Sequence, residues 1–153
     1  MLRVILAALH LLALGIGLGA ILARWITLRR PVTADSLKRV LHFDTQWGIA
    51  AMLWIGTGLW RYLGSMEKST AYYNSSSVFM AKMGALAVIL ALELWPMITL
   101  IRWRIALARG AAVDALPGIA AARRISLISG IQAILVVIMV FLAAAMARGY
   151  GAR

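Results

Sequence analysis

The sequence predicts an all-α integral membrane protein built as a four-helix bundle, and three observations carry that expectation. Of 153 residues, 63% are hydrophobic and only 14% are charged, and the mean hydropathy is +0.90, which leaves too little polar side chain to coat a soluble globule. Four runs approach the roughly 20 apolar residues that a helix needs to cross a hydrocarbon core about 30 Å thick. The Lys and Arg residues gather between those runs. A net charge of +11 would point to nucleic acid in a soluble domain. Here anionic lipid is the expected counter-charge, and no nucleic-acid partner is expected. Cysteine is absent, which removes disulfides, thiolate metal sites and a catalytic thiol. No phosphate loop, catalytic triad or HExxH motif competes for the function.

The first run covers residues 4–23. It follows Arg3 as a signal peptide would, but it is about twice the usual apolar length of one and leads into Arg24 and Trp25 rather than a small-residue cleavage site. Gly15, Gly19 and Ala23 make a small-xxx-small stripe on it, and Gly48, Gly56 and Gly58 lighten the second run, residues 47–63. Close backbone contacts inside the bundle are the expected use of these glycines, and a homodimer seam is the sharper alternative. The third run, residues 78–101, contains Pro96, expected to kink the helix and free the carbonyl near Leu92. The fourth covers residues 125–146. Trp25, Trp47, Trp60, Trp95 and Trp103 fall near run ends and are expected as interfacial anchors, whereas Trp54 lies mid-run. Residues 1–153 read as one transmembrane domain.

Loop charge sets the expected orientation. The first loop carries Arg24, Arg29, Arg30, Lys38 and Arg39, and the third carries Arg102, Arg104, Arg109, Arg123 and Arg124. The other side has Arg3, Arg61, Lys68, Arg148 and Arg153. The positive-inside rule then places the first and third loops in the cytoplasm and both termini outside.

Each charged side chain near the bilayer centre costs about 2.5–3.5 kcal/mol on insertion scales, so such residues are candidate sites. At 1.5 Å per residue, His10 lies about 9 Å and Lys82 about 6 Å below the outer boundary, with Glu93 about 16 Å further in than Lys82. Two polar levels result. The outer one holds His10 and Lys82, with Arg61 and Tyr62 nearby; the inner one holds Glu93, with His42, Asp44 and Gln132 nearby. Lys82 either snorkels to the headgroups or serves a site, and His10 either bonds a backbone carbonyl or binds a ligand. Glu93 lies too deep to snorkel. It is expected to be protonated, or hydrogen-bonded and paired with a cation such as Arg102, in preference to a proton relay. His42 reads as a surface residue.

A histidine facing a second potential ligand in a dry bundle suggests a b-type haem, because neutral imidazole is the usual ligand of haem iron. His10 is then the metal ligand, with Lys82 as second ligand or propionate partner; Met80 or Met83 could replace it. No histidine pair at a spacing of 13 or 14 on one helix is present.

Taken together, AYY, NSSSVFMAKMGAL and ELWPMITLIRWR, with LHLLALGIGLGAILARW and DTQWGIAAMLWIGTGLWRY, resemble a family of bacterial integral membrane proteins catalogued as domain of unknown function 2214. That resemblance implies the bacterial cytoplasmic membrane and brings no activity with it. A fold-level similarity reaches the haem-J type protoporphyrinogen oxidases and the copper-resistance D membrane proteins. In the former, a first-helix His and a Lys opening a later helix are the essential pair and a b haem is implied; His10 and Lys82 occupy the corresponding places. Electron transfer or porphyrin redox chemistry is the function this implies. The alternatives are a cofactor-free structural or accessory subunit of a larger membrane complex, a homo-oligomer included, and a proton or small-solute path through Glu93.

Overall fold

The computed structural model describes residues 1–65 and 69–151. Lys68 and Arg153, both counted in the charge asymmetry, lie outside the described residues. Helices α1 (Leu2–Leu28), α2 (Ala34–Leu63), α4 (Ser77–Ala108) and α5 (Ala122–Ala147) are long. A short α3 (Thr70–Ser75) precedes α4, and a 3₁₀ turn, Ile119–Ala121, leads into α5. There is no strand among the described residues. Among the described residues, three segments are long and apolar enough to cross a membrane: Leu2–Leu28, Ser77–Ala108 and Ile119–Ala147.

The helices outrun the apolar runs because local capping, not hydropathy, sets their ends. α2 begins well before Trp47, where Thr33 Oγ1 accepts the Ser36 N–H (3.2 Å) and Ser36 Oγ accepts the Thr33 N–H (2.8 Å). This reciprocal cap satisfies two otherwise orphaned donors, and Asp35 in the first turn suits the positive end of the helix dipole. Ser76 links α3 to α4 as a corner. Its N–H reaches Tyr73 O, and its hydroxyl accepts the Phe79 N–H at 3.3 Å. The segment between α2 and α4 therefore contains a helix that hydropathy gives no reason to expect.

α1 packs along α2 on one side and α5 on the other, and α5 packs along α4; α2 and α4 meet only lightly. α1 and α2 run antiparallel in a regular register. His10 meets Thr57, Gly17 meets Ala50 and Arg24 meets Asp44, so one number rises by sevens as the other falls by seven and six. Seven residues are close to two helical turns, which puts His10, Gly17 and Arg24 on one face of α1. Gly17 is needed there: a Cβ would stand 3.1 Å from the Trp47 ring.

One apolar core, including Ile21, Trp47, Trp54, Ile89, Val136 and Met139, fills the middle. A second, including Leu37, Val40, Leu100, Trp103 and Ile125, closes the end where α1 and α4 finish. These contacts correct two expectations. Trp47 (4% exposed) and Trp103 (0%) are core residues rather than interfacial anchors, and the Trp103 indole N–H donates to Pro117 O at 2.8 Å. Gly15, Gly19, Gly48 and Gly56 are not internal contacts: nothing lies within 4 Å of a Cβ built on any of them. α4 continues as helix through the buried Pro96. Large apolar side chains such as Leu12, Met52, Ile134 and Phe141 point outward, as a lipid-facing surface requires.

Candidate functional site

Polar side chains from all four long helices meet at two levels. At the inner one, Arg24 is the hub. It lies inside α1 and is completely buried, and each nitrogen of its guanidinium donates to a partner. Nε reaches Ser129 Oγ (2.9 Å); one terminal nitrogen reaches Asp44 Oδ1 (3.1 Å) and Glu93 Oε1 (2.7 Å); the other reaches Glu93 Oε2 (2.7 Å) and Gln132 Oε1 (3.1 Å). Glu93 is thus held bidentately, the geometry in which a guanidinium fork best fits a carboxylate. Gln132 completes the ring, its amide donating to Glu93 Oε2 (2.8 Å) and Ile89 O (3.1 Å). Arg104 donates to Asp44 Oδ2 (3.2 Å), to Thr45 Oγ1 (2.8 Å) and to Leu41 O. Two cations and two carboxylates balance.

Glu93, Asp44 and Gln132 therefore share one network, as their common depth implies. The bidentate cation on Glu93 is Arg24 rather than Arg102, because α1 runs past its apolar stretch and carries Arg24 inward. His42 takes no part: it is exposed and pairs with Gln46 on its own helix (3.1 Å). Sequence reasoning assigns Arg24 to a loop because the apolar run stops there. The signal that finds it is its place fourteen residues after His10, on the same face of α1.

At the other level, His10, Arg61, Tyr62 and Lys82 all line one cavity of about 360 Å³, walled by α1, α2, α4 and α5. Its walls are otherwise largely apolar, with Trp54, Leu59, Leu86 and Met139 among them. Aromatic rings cluster at its outer end. Tyr62 stacks on Phe79 with centroids 5.5 Å apart, Tyr73 stands 5.1 Å from Phe79, and the Tyr62 hydroxyl donates to Asn74 Oδ1 at 2.8 Å. His10 sits 5.9 Å from the Trp54 ring.

The tautomer of His10 follows from Thr57. That hydroxyl has one hydrogen, and the 2.6 Å contact to Leu53 O takes it. Its oxygen then accepts from His10 Nδ1 at 3.0 Å, so Nδ1 is the nitrogen that donates to Thr57. A histidine ligand is oriented in the same way, by donating its other N–H to a neighbour. Gly58 makes room for the ring, since a Cβ there would stand 3.0 Å from His10 Cε1. Thr57 is absent from the sequence reading, and Gly58 enters it only as one of the glycines of the second run, because their roles beside His10 depend on the α1–α2 register. Among the described residues no group of three or more His, Asp or Glu side chains gathers as a metal cage.

Comparison with known families gives one finding. The family described as "Predicted membrane protein (DUF2214)" matches residues 2–151. No curated protein and no solved structure matches.

Proposed function

The chain belongs to the DUF2214 family of predicted membrane proteins, and from that premise we propose that it is a multi-pass protein of the bacterial cytoplasmic membrane that holds a b-type haem in its outer cavity. The observation that carries this reading is His10 on the wall of a largely apolar cavity that Lys82 and Arg61 also line, its Nδ1 held by Thr57 Oγ1. The donor set fits the group. His10 would hold the iron through its imidazole, Lys82 on the same cavity would serve as a second ligand or as the partner of a carboxylate, and Arg61 would add a cation for a second carboxylate. The cavity falls in the range of about 300–1,000 Å³ usual for ligand pockets. Met83, Met139 and Met146 on its wall are flexible side chains that re-pack around a large ligand. Bound haem supplies one-electron redox chemistry. The protein orients the ring, excludes water with its apolar walls and sets the charge around the ring's edge.

In this reading α2 is the fourth span. Its register with α1, from Thr57 beside His10 to Asp44 beside Arg24, keeps it in the same layer as a helix apolar enough to cross. The basic first and third loops face the cytoplasm and both termini lie outside.

The absorption spectrum of the purified protein, oxidised and then dithionite-reduced, tests the haem. A Soret band with reduced α and β bands is expected, lost in His10→Ala and kept in His42→Ala. A colourless protein from haem-replete cells removes this reading.

A second reading has its own observation. Gly15, Gly19, Gly48 and Gly56 present smooth helix surface outward, which suits a cofactor-free accessory subunit docking through α1 and α2 against another copy or a larger complex. The bidentate Arg24–Glu93 pair disfavours a proton path, because both carboxylate oxygens are already engaged.

A further inference from the structure

At the end of the molecule opposite the His10 cavity, the last turn of α1 and the segment after it face the start of α5 across a cleft of about 1020 Å³. Arg29 and Arg30 line it from one side and Arg123 from the other, all three exposed. Asp114 also lines it, so three guanidiniums stand against one carboxylate. The apolar part is built and fixed. The Trp25 ring packs so closely on Gly130 that a Cβ there would stand 3.0 Å away, and Ser126 Oγ donates to Trp25 O at 2.9 Å. Arg29 lies over that ring at 5.6 Å from its centroid. α1 and the Ile119–Ala147 segment are both apolar enough to cross a membrane, and this is where they end together. In the membrane embedding proposed above, the cleft straddles the boundary between hydrocarbon and water, where tryptophan is at home.

We propose that this cleft binds the phosphodiester headgroup of an anionic phospholipid from the leaflet at that end. Guanidinium forks match phosphate oxygens bidentately, and basic pockets at the ends of membrane helices are suited to such headgroups. The apolar wall of Trp25, Leu28 and Leu127 suits an acyl chain, which a free phosphate lacks. The inference rests on the membrane embedding proposed above, not on the haem or the orientation.

The test uses the full chain in nanodiscs of phosphatidylcholine doped with labelled phosphatidylglycerol, which presents the same lipid to both ends. Enrichment of phosphatidylglycerol around the protein is expected. At about fivefold per arginine, Arg29→Gln/Arg30→Gln/Arg123→Gln weakens it on the order of a hundredfold. The control Arg39→Gln/Arg102→Gln/Arg109→Gln removes equal charge from exposed positions outside the cleft and is expected to lose clearly less enrichment than the cleft triple. Equal loss in both triples would mean diffuse charge attraction and overturn the site. Retention in the cleft triple would overturn it too, and displacement of the lipid by millimolar inorganic phosphate would reassign the cleft to a soluble anion. Should the triple fail to fold, Arg123→Gln alone is judged against Arg109→Gln. A colourless protein that still enriches phosphatidylglycerol would refute the haem and leave the cleft standing.

Discussion

Arg24 connects α1 to every other long helix, through Asp44 on α2, Glu93 on α4 and Ser129 and Gln132 on α5. Removing one partner of a buried ion pair leaves the others desolvated and uncompensated, at a cost of about 3–5 kcal/mol. Arg24→Ala is accordingly expected to lower stability by that amount in reversible detergent unfolding. Arg24→Met/Glu93→Gln, which removes charge from both sides, should recover part of the loss. A cost below about 1 kcal/mol for Arg24→Ala would show that the network is not closed in the membrane. Thr57 gives a second residue-scale prediction. Thr57→Val keeps the volume but removes the acceptor that fixes His10, and a lost outer-shell partner costs about 10–100-fold in metal affinity. Haem affinity should fall by that factor in Thr57→Val and survive in Thr57→Ser, as read by haem transfer to apomyoglobin. Equal affinities would break the link between the hydroxyl and the ligand. Residue types and depth were enough to single out His10, Lys82, Glu93, Asp44 and Gln132; the structure joins Glu93, Asp44 and Gln132 in one network and puts His10 and Lys82 on one cavity. Arg24, Thr57 and Gly58 were not legible, because their roles exist only once α1 and α2 are paired.

At the scale of elements, the sequence shows where the apolar stretches lie but not where helices stop. A run ends at its first charge, whereas a helix ends where its backbone groups find other partners, so α1 passes Arg24 and α2 starts at the Thr33 cap. Glycine spacing was similarly ambiguous, because a small-xxx-small stripe marks a helix that can pack closely without saying which side does so. Gly17 packs on Trp47, whereas Gly15 and Gly19 face outward. Gly17→Ala is therefore expected to cost about 1–3 kcal/mol through overpacking. Gly15→Ala and Gly19→Ala should leave unfolding of the single chain within about 0.5 kcal/mol of the parent or slightly stabilise it. Bulky changes at the outward pair read the accessory-subunit alternative. Gly15→Leu/Gly19→Leu should shift a self-associating protein towards monomer in crosslinking, and an unchanged oligomer pattern would clear that face of the role.

For the whole molecule, the decisive question is which end faces the cytoplasm, because it sets whether the His10 cavity or the arginine cleft meets the outside. The charge count favours the cleft end as cytoplasmic, and much of it is anchored in structure. Arg124 lies over Trp95 at 5.5 Å, Arg29 over Trp25, and Arg104 is bound to Asp44, so basic groups from three helices are concentrated at one end. The chain has no native cysteine, which permits an uncluttered labelling experiment with single substitutions at Ser75, beside the cavity end, and Ala112, between α4 and α5; both positions are exposed. In intact spheroplasts a membrane-impermeant maleimide should label Ser75→Cys and spare Ala112→Cys, with Ala112→Cys reacting only after lysis. The reverse pattern would turn the protein over and place the His10 cavity on the cytoplasmic side. Labelling of both before lysis would mean that α4 does not cross the bilayer, and the four-span arrangement would fall with it.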